Sequence, residues 1–409
     1  MPASRFDIAI VGDSLASRMV AAVLAKHGKR VLLFSAPTCH ETWHTSSLFV
    51  GKIIAGMGGN AQLTPAQPFQ VLSSRARLTI TPGRPLLEEL QREFGTAAPS
   101  LVNFLARLKN AGTALEELFR EHGGLPESGF ADTMRWRWLC LRRKFPLGAL
   151  STPLARTLHV FPEAATEWLR DLFQGLSLLP IEALSQIDGA LLWANANHSG
   201  GMSDNDLREL LHKRFEQFHG VETDLQTLRS FEHTGGHWEY ALQNGGHFRS
   251  DQLIIGDLGR ELPGRGIALP RPSRVPARHF ATSPLNNQLS PLLTQRFIPG
   301  GPVPMRFTAN TTPEGIVGQV GVPAGTDDGH IQTQLAPFLP FARYSLSLRD
   351  TGKHVLTEPD ANRALFKLPY RLGSHLWCAD ETRLLPHLGT GGAALLAWTI
   401  VRKIEPSVI

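Results

Sequence analysis

Hydrophobic and polar positions change period three times within the first 35 residues. Phe6 to Val11 is an apolar, strand-length run. The small-residue turn VGDSLAS follows, and Leu15 to His27 then spaces its apolar residues as an amphipathic helix. Gly28 stops that helix, and a second apolar run covers Arg30 to Ser35. Strand, tight turn, helix and strand in this order predict an α/β, Rossmann-type dinucleotide-binding unit. The exposed backbone N–H groups and positive dipole end of such a helix suit a pyrophosphate.

The turn departs from the glycine fingerprint G-x-G-x-x-G. Its three positions are Gly12, Ser14 and Ser17, with Ala16 between the last two. The serines place a Cβ where backbone must approach phosphate and where helix and strand pack. Ser35 stands where an acid would hold ribose hydroxyls. The architecture is thus written more strongly than the ligand.

Further along, FVGKIIAGMGGNAQL (49 to 63) carries the cluster Gly56, Gly58 and Gly59, which reads as a turn between packed elements or as a backbone loop near a cofactor, the turn being favoured. PLLEELQREF, SLVNFLARLKNAG and TALEELFREHGG read as three helices between 85 and 122. MRWRWLCLRRKF (134 to 145) alternates Trp136, Trp138 and Cys140 with Arg135, Arg137 and Leu139, which suits a solvated strand at least as well as a helix. Its basic groups also admit an anionic substrate, a membrane surface or a partner. Residues 153 to 194 read as helical and apolar. A glycine turn, SGGM, then precedes a helix with Ser203 or Asp204 as its N-cap, followed by a hairpin and the apolar strand Leu253 to Ile255. Strands dominate 261 to 345, with a helix near 329 to 338. A last strand, Leu376 to Ala379, meets Asp380, and a loop with Gly389, Gly391 and Gly392 opens a helix from Ala393 to Ile404.

The expected organisation is interleaved. Residues 1–60, 195–260 and 350–409 form a nucleotide-binding domain. Residues 61–194, mainly helical, and 261–349, β-rich, form a second, α+β substrate domain.

Composition narrows the class. At 409 residues, 42% hydrophobic and 19% charged, the chain is globular. Its net charge of +5 is modest for this length, and no nucleic-acid motif is present. Cys39, Cys140 and Cys378 are far apart, which fits a reducing compartment without disulfides or a zinc site. No apolar stretch reaches the ~20 residues of a membrane helix. The first strand begins too early for a signal peptide, so a cytoplasmic location is expected.

Taken together, the degenerate Rossmann start, the helical insertion, SGGM at 199 to 202, the strand ending IIGD and the closing HLWCADETRLLPHLGTGGAALLAW resemble the FAD-dependent oxidoreductase superfamily of phytoene desaturases and amine oxidases. The resemblance runs the length of the chain. It implies FAD as cofactor, with Gly12, Ser14, Ala16 and Ser17 at the pyrophosphate, Ser35 at the ribose and the Leu228 backbone near adenine. It also implies Asp380 at the ribityl or pyrophosphate, and Gly389, Gly391, Gly392 and Ala393 at the flavin ring edge. The glycine-glycine-arginine expected shortly after the ribose acid is absent, and CHETWHTSS stands there.

Three functions follow. The first is an FAD-dependent oxidoreductase that removes hydride from a C–C or C–N bond of a small apolar or amine substrate. The second is a relative that keeps the fold without flavin as a binding or assembly subunit, with a protein partner or a second copy. The third is a pyridine-nucleotide binder using Ser35 with Lys29 or Arg30, against which the C-terminal motif argues. No catalytic acid, base or nucleophile emerges. His198, His375 and His387 flank glycine loops without diagnostic spacing.

Overall fold

The computed structural model describes residues 4–36, 43, 47–58, 64–127, 129–202, 204–257, 277–282, 292–313, 315–323, 325–339, 348–350 and 368–407. Cys39, Gly59, Ser203 and most of CHETWHTSS lie outside these residues.

The strands are β1 (Ser4–Val11), β2 (Val31–Ser35), β3 (Thr64–Pro65), β4 (Phe69–Leu72), β5 (Arg77–Ile80), β6 (Gly200–Gly201), β7 (Val221–Asp224), β8 (Leu228–Thr234) and β9 (His237–Leu242). They continue with β10 (His247–Ile255), β11 (Ala277–Thr282), β12 (Arg296–Pro299), β13 (Arg306–Thr312), β14 (Gly315–Pro323), β15 (Leu348–Asp350), β16 (Arg371–Gly373) and β17 (Leu376–Cys378). The helices are α1 (Leu15–Lys26), α2 (Leu48–Gly56), α3 (Leu87–Phe94), α4 (Ala98–His122), α5 (Phe130–Arg142), α6 (Leu147–Leu150) and α7 (Leu154–Leu158). They continue with α8 (Glu163–Ser177), α9 (Gln186–Ala196), α10 (Asp204–Gln217), α11 (Asp328–Leu335), α12 (Glu381–Leu384) and α13 (Gly389–Ile404).

The first sheet runs β16-β17-β10-β1-β2-β7, with the β8–β9 hairpin attached through β9. β1 lies parallel between β10 and β2. On its edge away from β1, β10 serves two partners: its polar first half pairs antiparallel with β9, and Leu253 to Ile255 pair parallel with β17. That apolar half is buried on both faces, as a central parallel strand must be. α1 packs on α13 and α10. Thr390 to Val401 of α13 are all buried, so its small residues let it approach α1 closely. The second sheet runs β15-β11-β14-β13-β12-β4-β5 and is antiparallel except where β12 meets β4.

Three elements differ from the sequence reading. In the stretch 49 to 63, residues up to Gly56 belong to a helix, α2, because Phe49, Val50, Ile53 and Ile54 bury one face, and a turn follows at Met57 and Gly58. Residues 98 to 122 form one helix rather than two. Gly112 does not break it but lets it cross α9, where a Cβ would lie 2.2 Å from the Ala190 carbonyl oxygen. The Trp/Arg segment is α5, not a strand. Trp136 is buried and stacked on Phe119, whereas Phe130, Met134, Trp138 and Leu141 form an exposed face.

Glu116 of α4 is a buried acid, and the Leu48 backbone N–H donates to it. Burial pushes its carboxyl up to about 7. The fold therefore binds this proton more tightly than the unfolded chain, so the stability it confers is present at low pH and lost as pH rises from 4.5 through 7. Glu116→Gln is expected to remove about 2–3 kcal/mol of the stability loss between pH 5 and 8. Denaturant midpoints at the two pH values check this, and a midpoint difference unchanged in the variant would contradict it.

Candidate functional site

The turn between β1 and α1 is shaped by its own backbone. Gly12 has φ +106°, and a Cβ there would lie 2.5 Å from the Asp257 carbonyl oxygen. Asp13 N–H donates to that oxygen at 2.7 Å, and Gly256 N–H donates to Val11 O at 2.8 Å, closing the end of β10 onto the turn. Gly12 is thus needed for a backbone crossing.

The two fingerprint serines cap α1. Ser17 N–H donates to Ser14 Oγ at 3.0 Å, and Ser14 N–H donates to Ser17 Oγ at 2.9 Å, a reciprocal capping box. Ser14 Oγ also donates to Ala379 O at 2.5 Å, tying α1 to the end of β17. The next two donors, Leu15 N–H and Ala16 N–H, reach the Glu381 carboxylate at 2.9 and 3.3 Å. A carboxylate of this chain therefore occupies the anion seat at the start of α1, where the resemblance implies a pyrophosphate. Burial pushes the Glu381 carboxyl upward, against the pull of Arg208 and the Leu15 N–H. The sequence reading assigned Asp380 and missed its neighbour, although an acid directly after the last strand was visible.

Ser35 does not stand alone at the end of β2. Its hydroxyl bonds to Glu222 of the adjacent β7. Arg18 bridges Glu222, at 3.1 Å, and Asp13, and His212 Nδ1 lies 3.2 Å from Glu222. Burial raises the Glu222 carboxyl, but Ser35, Arg18 and His212 outweigh it and hold it below the usual range. Leu228 is 2% exposed and packs in the apolar cluster with Phe34 and Leu225.

At the C-terminal motif, Asp380 accepts from the Arg383 guanidinium at 2.8 Å and is itself buried. α13 begins at Gly389 (φ +53°) rather than at Ala393, so Gly391 and Gly392 lie in its first turn. Gly391, Gly392 and Ala393 are buried. A Cβ on Gly391 would lie 2.5 Å from Asn195 Nδ2 of α9 and 3.4 Å from Ser47 Cβ. Asn195 Oδ1 and Ser47 Oγ are buried there without a hydrogen-bond partner among the described residues. His387 is fixed to α9 through Asp188, 2.9 Å away.

Asn195 also faces a cavity of about 260 Å³ between the β3–β6 ribbon and the second sheet, with Trp43, Phe69, His198, Met202 and Arg296 in its wall. Of the three histidines singled out above, only His198 faces it, with Nδ1 2.9 Å from Gly200 O. Burial pushes the Cys140 thiol up to about 11 and the Cys378 thiol to about 12, so neither is a thiolate nucleophile at neutral pH. No group of metal ligands occurs among the described residues. No described helix is long and apolar enough to cross a membrane.

No family model matches the sequence, and no curated protein matches it either. Solved structures do match in fold. A double mutant of putrescine oxidase superposes with a TM-score of 0.60 at 10% identity, covering 98% of this chain and 99% of that one. Cyclohexylamine oxidase from Brevibacterium oxydans IH-35A gives 0.58 at 12%, covering 98% and 99%. An oxidoreductase from Methanosarcina mazei gives 0.58 at 10%, covering 97% and 100%. Over nearly its whole length the chain shares its fold with these two amine oxidases and this oxidoreductase.

Proposed function

We propose that the protein is an FAD-dependent oxidoreductase that removes hydride from a C–C or C–N bond of a small, largely apolar molecule held in the cavity beside Asn195. The observation that carries this reading is the pair of ligand-ready positions the fold retains. The α1 seat already holds an anion, the Glu381 carboxylate, through Leu15 and Ala16 N–H. At the other end, Asn195 Oδ1 and Ser47 Oγ are buried beside Gly391 and unpartnered among the described residues. The residues thus fit a dinucleotide whose diphosphate would take Leu15 and Ala16 N–H and whose ring edge would meet Asn195 and Ser47. Bound flavin would supply the two-electron acceptor. The chain's own part is to bind and orient: Trp43 and Phe69 give the cavity apolar walls that exclude water from a substrate. The α1 seat takes one anion, so a diphosphate and the Glu381 carboxylate exclude each other there.

A second reading, a flavin-free relative acting by binding, is favoured by Glu381 itself and by the serine capping box, which complete the turn without a ligand. The visible absorbance of the purified protein separates the two. Flavin bands approaching one equivalent after incubation with FAD support the enzyme. A spectrum that stays colourless supports the flavin-free relative.

A further inference from the structure

Arg296 is anomalous among the basic side chains. It enters the cavity from β12 and is only 3% exposed. One of its nitrogens, Nη2, donates to the Gln67 carbonyl, and its guanidinium lies 5.5 Å from the centre of the Trp43 ring. Among the described residues its Nε has no hydrogen-bond partner and no carboxylate pairs with it. Burial lowers its pKa to about 10, so it remains a cation at neutral pH. A buried cation without a counter-ion is costly and is ordinarily neutralised by an acid. Arg18 shows that ordinary solution, with Asp13 and Glu222 against it.

The rest of the cavity indicates what would neutralise Arg296. Trp43, Phe69 and Met202 present an apolar wall beside the Arg296 guanidinium. Asp206 also lines the cavity, but it is exposed and already engaged. We propose that this cavity binds a carboxylate-bearing molecule with an apolar body, its carboxylate on Arg296 and its body against Trp43 and Phe69. A planar guanidinium is suited to a carboxylate, and a cavity of about 260 Å³ holds a molecule of roughly aryl-acetate size. This binding does not require flavin, so it stands or falls separately from the reading above.

Thermal denaturation of the purified full chain tests it, with phenylacetate, indole-3-acetate and hexanoate as probes. Phenylacetamide is the neutral control and inorganic phosphate the control for a bare anion. At least one carboxylate at 10 mM is expected to raise the Tm by roughly 2 °C or more, while phenylacetamide and phosphate leave it unmoved. Arg296→Met is expected to abolish that shift. Without any probe, its Tm should equal or exceed that of the natural protein, because an unneutralised buried charge has been removed. A merely structural Arg296 would show the opposite, a lower Tm on replacement. The proposal is overturned if no carboxylate raises the Tm, if phosphate or phenylacetamide raises it as much, if the shift survives in Arg296→Met, or if that variant is markedly less stable.

Discussion

Glu381→Ala is expected to raise the affinity for FAD by a factor of ten to a hundred. In the natural chain the two N–H groups at the start of α1 are engaged by the Glu381 carboxylate. Hydrogen bonds to a charged group are worth roughly 1.5–3 kcal/mol, and 1.4 kcal/mol is tenfold in binding. A diphosphate entering this seat must first break those bonds and then sit beside a displaced negative charge. Alanine removes both costs. It also leaves two helix donors to solvent, so the variant without ligand should be less stable by about 1–3 kcal/mol. The effect has a pH signature. Burial raises the Glu381 pKa above 4.5, so acidification neutralises this carboxylate before an ordinary glutamate. FAD affinity of the natural chain should rise as pH falls from neutral toward 4.5, and that of Glu381→Ala should change much less. Calorimetric titrations at two pH values read both effects.

Gly12→Ala is expected to cost about 3 kcal/mol or more, a large part of the 5–15 kcal/mol that holds a typical domain. Two terms add. At φ +106° an alanine is strained whatever its surroundings, and its Cβ would meet backbone on the facing chain, at Asp257 and Gly256. Those atoms close β10 onto β1 and have no rotamer to change. Gly28→Ala is the control: it has φ +80° but nothing within 4 Å of the added Cβ. That substitution should cost only about 1 kcal/mol, the strain alone. Urea midpoints distinguish them. Equal losses in the two variants would show that the crossing at Gly12 is not a tight one.

The contrast between these two residues shows what the sequence could convey. β1, α1 and β2 were legible because their hydrophobic period changes at the boundaries and Gly28 marks the stop. The strand Leu376 to Cys378 and the glycine-led helix behind it were legible for the same reason. α5 was not, because its tryptophans alternate by chance of composition while only Trp136 finds the core. The long α4 was obscured by Gly112, which serves close packing against α9 rather than a turn. In the site, the serines at 14 and 17 looked like losses, and in the fold they form a cap that glycine could not make. Glu381 was hidden for a different reason. Its contact with Leu15 spans 366 residues, and no local pattern encodes a carboxylate arriving from the far end of the chain. Arg296 was equally invisible, since what marks it is that no carboxylate among the described residues pairs with it in three dimensions.

The most direct measurement is the binding of FAD to the natural chain and to Glu381→Ala side by side, followed by visible absorbance and titration calorimetry. The expected result is about one flavin per chain in both, bound at least tenfold more tightly by the variant. Two colourless proteins with no heat of FAD binding would contradict the flavoenzyme reading and leave a Rossmann turn completed by its own glutamate.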